Sequence, residues 1–147
     1  MTGFLIDTNV ISELIRPRPD PRVRDWVEGV AADLLYLSVL TLGELRKGID
    51  LHPDPVRRAR VDAWLVDTLL PWFEGRILTV DQRVADRWGS IAARGQASGS
   101  PLPVIDGLLA ATALCQDLTL VTRNIRDVEC TGVPALDPWE ALTNGSG

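Results

Sequence analysis

The sequence predicts an α/β domain built on a mainly parallel sheet. Short apolar runs that end in polar residues alternate with longer segments of helical period, the pattern of strands joined by crossover helices. No internal repeat interrupts it, and 147 residues suit one hydrophobic core better than two.

Phe4 to Ile6 reads as the first strand, and Asp7, Thr8 and Asn9 supply a helix start before Val10, Ile11, Leu14 and Ile15. Pro17 and Pro19 end that helix. Pro21 suits the first turn of a second helix, in which Val23, Trp26, Val27 and Val30 recur at spacings of three and four. Leu34 to Leu37 is the second strand, followed by a helix from Val39 to Asp50 with Leu42, Leu45 and Ile49 along one side. Between Asp54 and Phe73 a longer helix carries Val61, Leu65 and Leu69 as its apolar stripe and is basic early, at Arg57, Arg58 and Arg60. Ile77 to Val80 is the third strand, and Asp81 caps a helix bearing Val84, Trp88 and Ile91. Gly95 to Pro103 reads as an internal loop, since the flanking segments are too short for separate cores. From Val104 to Leu118 the chain is apolar nearly all round, as a buried helix is, and Leu118 to Val121 is the next strand. Residues 1–142 are expected to form one domain, with Thr143 to Gly147 a frayed tail.

The charge of -5 argues against a broad basic nucleic-acid surface, though not against a local basic rim around an acidic site. The apolar run Leu34 to Leu42 is stopped by Gly43 and Glu44, far short of the ~20 residues that span a bilayer. Phe4, Leu5 and Ile6 run straight into an acid without a basic leader, so no membrane association and a cytoplasmic location are expected. Cys115, in a helical pattern, and Cys130, in a loop pattern, are expected to be reduced.

Four acids stand where a shared site is conceivable. Asp7 follows a strand and Asp127 lies in the turn after another, so both can reach the crevice at the carboxyl edge of a parallel sheet. Glu44 interrupts an apolar helix, and Asp106 opens the buried one. Each has a plainer explanation: Asp7 as a helix cap, Glu44 paired with Lys47, Asp106 complementing its helix dipole, Asp127 organising a turn with Asn124. Only the set favours a site, because clustered carboxylates withdrawn from water need a cation. All-oxygen ligands suit Mg2+ or Mn2+, whereas zinc would find only His52 and two separated cysteines. His52, beside Pro53, reads as a solvent-facing residue outside the site.

In these segments the sequence resembles the PIN-domain ribonucleases, especially the bacterial VapC-type toxins. Ile6-Asp7-Thr8-Asn9-Val10-Ile11 is followed in the family order by Leu40-Thr41-Leu42-Gly43-Glu44-Leu45 with Gly48, by Asp106-Gly107-Leu108-Leu109-Ala110-Ala111, and by Leu120-Val121-Thr122-Arg123-Asn124 with Asp127. Gly132-Val133-Pro134 and Pro138-Trp139 resemble the closing segment. Val128 stands where many relatives have an aromatic residue.

The resemblance implies a three-layer α/β/α sandwich around about five strands and a Mg2+- or Mn2+-dependent endoribonuclease. It makes Asp7, Glu44 and Asp106 the principal metal ligands and adds Asp127 to the catalytic set, binding a second ion or holding a metal-bound water. From their own chemistry, apart from the resemblance, Thr8, Asn9, Thr122 and Asn124 can cap turns or orient waters and carboxylates, and Arg46, Lys47, Arg123 and Arg126, near the acidic motifs in sequence, can contact RNA phosphates or form a solvated charged face. A divalent ion activates water and stabilises charge on the scissile phosphate, so no serine or histidine nucleophile is required. The resemblance also implies a homodimer and a small VapB-like antitoxin from an adjacent gene. The stripes Val10 to Ile15 and Val61 to Leu69 offer the antitoxin docking surfaces unless they face the core or a dimer interface.

Three rivals are weaker. An aspartyl-phosphate phosphatase wants a second acid near the first, but Asn9 stands two beyond Asp7. A phosphate-accepting receiver domain wants a lysine after a late strand, and Lys47 is the only lysine. The third is a PIN fold kept only for binding protein.

Overall fold

The structure, a computed structural model, describes residues 2–141. The expected tail, 143–147, lies outside them. Five strands, β1 (Phe4–Ile6), β2 (Leu35–Ser38), β3 (Ile77–Leu78), β4 (Thr119–Val121) and β5 (Ala135–Leu136), form one sheet in the order β3-β2-β1-β4-β5. Every neighbouring pair is parallel, with Leu5 opposite Tyr36 on one side and Leu120 on the other.

Side chains alternate across each strand, and both faces are covered. Ile6, Leu35, Leu37 and Val121 face one core with Val10 and Ile11 of α1 (Thr8–Ile15) and Val23 and Val27 of α2 (Pro21–Gly29). Leu45 and Ile49 of α3 (Val39–Leu51) join them, as do Leu65 and Leu69 from the segment between α4 (Pro55–Trp64) and α5 (Leu70–Trp72), and Phe73 just after α5. Leu5 and Leu120 face the opposite core, with Leu109, Ala110 and Ala113 of α7 (Val104–Cys115). Behind it α6 (Gln82–Ala97) contributes Val84 and Ile91. Each fully buried Leu, Ile, Val or Phe side chain stabilises the fold by ~1.5–3 kcal/mol relative to leaving it in water. This is the three-layer sandwich with a parallel sheet that the sequence led us to expect.

Several boundaries differ from the sequence reading. Leu34 belongs to a single turn, Ala32–Leu34, and β2 starts one residue later. The long helix runs unbroken from Pro55 to Trp72 but widens to a π-helical segment, Leu65–Leu69, whose end residues are both buried. Gly95 does not open a loop: α6 continues through it to Ala97, and a Cβ there would come within 3.0 Å of the Ser100 carbonyl oxygen. α7 stops at Cys115 because Asp117 takes φ +56° to turn the chain into β4. β5 is two residues long and follows a left-handed turn at Gly132.

Both cysteines are free. No helix among the described residues is long and apolar enough to cross a membrane. The sheet order has one decisive consequence: connections from β1 leave toward β2, while β4 returns on β1's other side. The carboxyl ends of β1 and β4 therefore flank a switch in winding, where an open α/β sheet leaves a crevice.

Candidate active site

Asp7 stands at that crevice. Its N–H donates to the Val121 carbonyl at 2.9 Å, continuing the β1–β4 ladder by one bond. The carboxylate then caps α1, with Oδ1 accepting from the Thr8 N–H at 2.6 Å and Oδ2 accepting from the Thr122 hydroxyl at 2.8 Å. Capping is thus real for Asp7, but it occupies one oxygen only.

The two strand-to-helix turns are stitched together by small polar side chains. Asn9 Nδ2 donates to Thr122 Oγ1 at 3.2 Å and more weakly to Asp7 Oδ2, while Asn9 Oδ1 accepts from the Arg123 N–H at 3.4 Å. Thr122 Oγ1 also accepts from the Asn124 N–H at 3.1 Å. On the opposite wall the Thr8 hydroxyl donates to Glu44 Oε1 at 2.5 Å. Glu44 is half-buried on α3, and its partner is therefore Thr8 rather than Lys47. Asp106 sits half-buried in the first turn of α7, whose next residue, Gly107, lies so close to the Trp88 ring that a Cβ would approach it to 3.0 Å. Asp127 is exposed on α8 (Ile125–Val128).

Asp7, Glu44 and Asp106, from three separate elements, line one polar cavity of about 410 Å³. Asp127 lines an adjoining cavity that shares Arg123 and Asn124 with the first. Burial raises the Asp7 carboxyl from 3.8 to about 6, and the charges of Asp106 and Glu44 push the same way against the hydrogen bonds from Thr122 and Thr8. Asp106 is raised as well, first by burial and then by the charges of Asp127 and Glu44. Glu44 and Asp106 thus act on Asp7, and Glu44 and Asp127 act on Asp106, while the ion pairs among the described residues involve none of the four. Hard oxygen donors around a polar cavity suit Mg2+ or Mn2+ chemically. Yet among the described residues no three such side chains close on a single point. Thr8 holds the Glu44 carboxylate and Thr122 that of Asp7.

The remaining candidates separate. Thr8, Asn9, Thr122 and Asn124 all touch the acids or one another. Arg46 points away, bound to Asp62 at 2.8 Å and Asp50 at 3.7 Å. Lys47 lies on an apolar cleft with Leu40 and Ile105. Arg123 and Arg126 border the cavity of Asp127. His52 accepts the Asp54 N–H just past the end of α3 and is no part of the acidic cavity.

Sequence reasoning overlooked Glu13 and Arg16, which line the acidic cavity, and gave Trp139 no place in it. Glu13 is buried; one oxygen accepts the Asp20 N–H at 2.9 Å and the other lies 3.6 Å from Arg16. The available signal was the polar stripe Asn9, Glu13, Arg16, spaced by four and three along α1.

Residues 4–128 match the PIN domain family. The plasmid stability protein StbB of Pseudomonas syringae pv. tomato is 38% identical, over 94% of this chain and 99% of its own length. Toxin FitB of Neisseria gonorrhoeae is 36% identical over 92% and 98%, and the VapC ribonuclease Y4jK of Sinorhizobium fredii 35% over 93% and 98%. The crystal structure of FitAcB from N. gonorrhoeae superposes with a TM-score of 0.88 at 36% identity, covering 92% of this chain and 98% of that one.

Proposed function

This chain belongs to the PIN-domain family and is closely related to the VapC/FitB-type toxins of bacterial toxin–antitoxin systems, and we propose that its acidic edge is the active centre of a Mg2+- or Mn2+-dependent endoribonuclease. The carrying observation is the convergence of Asp7, Glu44 and Asp106 on one polar cavity at the winding switch, with no protein cation paired to them in the ion pairs described. Family membership implies ribonuclease chemistry, and a relative at 35% identity carries the name VapC ribonuclease.

In this reading Asp7, Glu44 and Asp106 would hold the ion, with Asp127 in support, and a divalent cation there would neutralise the clustered carboxylates and polarise the scissile phosphate. Thr8 fixes Glu44, and Thr122 fixes Asp7, so that both acids face the cavity in defined rotamers. Deprotonated Asp7 is the form that binds a cation, and its carboxyl near 6 leaves it mostly ionised at neutral pH.

The chain is proposed to act as the toxin, restrained by a cognate antitoxin. Val10, Ile11, Leu65 and Leu69 are buried in the core, so the two stripes suggested by sequence stay partly exposed only toward their ends, as at Ile15 and Val61. A groove lined by Ile15, Leu45, Ile49 and Val61, with Arg57 and Arg58, remains open beside Glu44 and suits an amphipathic segment. The cleft of Val39, Leu40, Leu51 and Ile105 suits a second copy of the chain.

Purified protein is expected to cleave RNA with Mg2+ or Mn2+ and to stop on adding EDTA; full activity under verified chelation would refute the metal reading. The open spacing of the carboxylates is the observation that favours a non-catalytic PIN-fold binding module instead. Absence of both Mn2+ binding and cleavage would select that alternative.

A further inference from the structure

An acidic site in a chain of net charge -5 repels the polyanion it is proposed to cut, so the strand needs fixed cations close to the carboxylates. Arg123 follows Thr122 directly, and its backbone N–H is tied to Asn9. Its guanidinium carbon lies 4.8 Å from the centroid of the Trp139 ring. That ring is a packed floor: Trp139 is 5% exposed and belongs to the core with Val23 and Val27 of α2, and its backbone N–H donates to Asp137 Oδ1 at 2.8 Å. Arg22 and Arg46 form ion pairs with Asp20 and Asp62, whereas Arg123 feels the Asp20 carboxylate only at longer range and has the Trp139 ring as its close contact. The side chain borders both the cavity of Asp7 and the adjoining cavity of Asp127. Arg16 marks the first cavity's other rim, but it leans on Glu13.

We propose that Arg123, seated on Trp139, is a positioning residue that grips a backbone phosphate beside the scissile one as the RNA strand passes from the Asp7 cavity to the Asp127 cavity. The inference rests on the ribonuclease reading of the acidic edge. A planar guanidinium placed over a ring still has N–H donors to offer, and their fork matches two oxygens of a phosphate. The second cavity is otherwise lined by Asp127, Glu129, Asp137 and Glu140, with Arg126 its other cation, so losing Arg123 leaves the strand facing mostly carboxylates.

Arg123→Met separates this role from a structural one, because methionine still covers the Trp139 ring but carries no charge. With a short fluorescein-labelled single-stranded RNA of mixed sequence as substrate, R123M is expected to raise KM about tenfold and leave kcat within about twofold. The salt dependence of log KM should become shallower by ~0.7, the contribution of one phosphate contact on a single strand. Mn2+ affinity should not change. R123K should fall between, keeping the charge and losing the planar fork. Wild-type KM and salt slope in R123M would overturn the proposal. If the wild-type chain cleaves no RNA, the ribonuclease reading fails by itself; affinity for the same RNA, read by anisotropy, then decides this one. Weaker binding by R123M would uphold the phosphate grip, and equal binding would reject it.

Discussion

Two aspartates stand just beyond neighbouring strands of one sheet, and the fold treats them in opposite ways. Asp7 is 7% exposed, receives hydrogen bonds from Thr8 and Thr122, and is raised to about 6 by burial and by its acidic neighbours. Asp127 is exposed on a one-turn helix and lines a separate cavity, reaching the other acids only through its charge on Asp106. Position at the sheet edge decides that an acid can reach the crevice. Burial decides what it costs to keep the acid ionised there.

That contrast yields a ranked set of substitutions. Asp7→Asn should give the largest effect, reducing RNA cleavage on the order of a thousandfold, because it removes the most enclosed charge of the site. The same change should stabilise the metal-free protein. Between 3.8 and about 6 the folded chain keeps a proton on Asp7 that the unfolded chain has released. Stability from the protonated carboxyl is therefore full below 3.8 and is lost as the pH rises through about 6. At ~1.36 kcal/mol per pKa unit, the ionised group costs the fold about 3 kcal/mol at neutral pH. Urea unfolding of D7N should accordingly show a gain of about 1–3 kcal/mol at about pH 7.5 and none at about pH 3.5. A loss of stability at neutral pH would mean that the capping bonds outweigh the buried charge.

Thr8→Val comes next. It deletes the hydroxyl that holds Glu44 while leaving the backbone cap on Asp7, and about a tenfold to hundredfold loss of Mn2+ affinity is expected by titration calorimetry. Wild-type affinity would show that Glu44 needs no such support. Asp127→Asn should be mildest, with about a tenfold drop in cleavage and a stability change within ~0.5 kcal/mol, as for an exposed residue. If it proved as damaging as Asp7→Asn, the distinction between the two aspartates would collapse.

Much of this was legible before the structure, for reasons that particular residues make clear. Val10, Ile11, Leu45, Ile49, Leu65 and Leu69 lie on the apolar faces that their helical spacing marks, and the structure turns those positions into the core rather than toward a partner. Asp7 and Asp81 cap helices in the structure as their sequence positions suggest. Ala135–Leu136 was not legible as a strand because two residues carry no period, and its pairing is set by β4. The end of α6 was misread because Gly95 ordinarily breaks a helix, whereas here its lack of a side chain admits the returning loop. In the site, strand-end acids flag themselves, but Glu13 and Arg16 resemble ordinary solvent-facing charges until α1 is placed against α3. The placing of the carboxylates depends on hydroxyl partners from distant segments, which no local pattern encodes.

The most direct test is thermal unfolding with and without Mn2+, for the wild-type chain and D7N, at about pH 7.5 and about pH 5. If Asp7, Glu44 and Asp106 form one cation site, Mn2+ stabilises the wild type at the higher pH and much less at the lower, where Asp7 is mostly protonated, and it does little for D7N at either. Equal stabilisation of both proteins at both pH values would place the ion elsewhere and contradict the account.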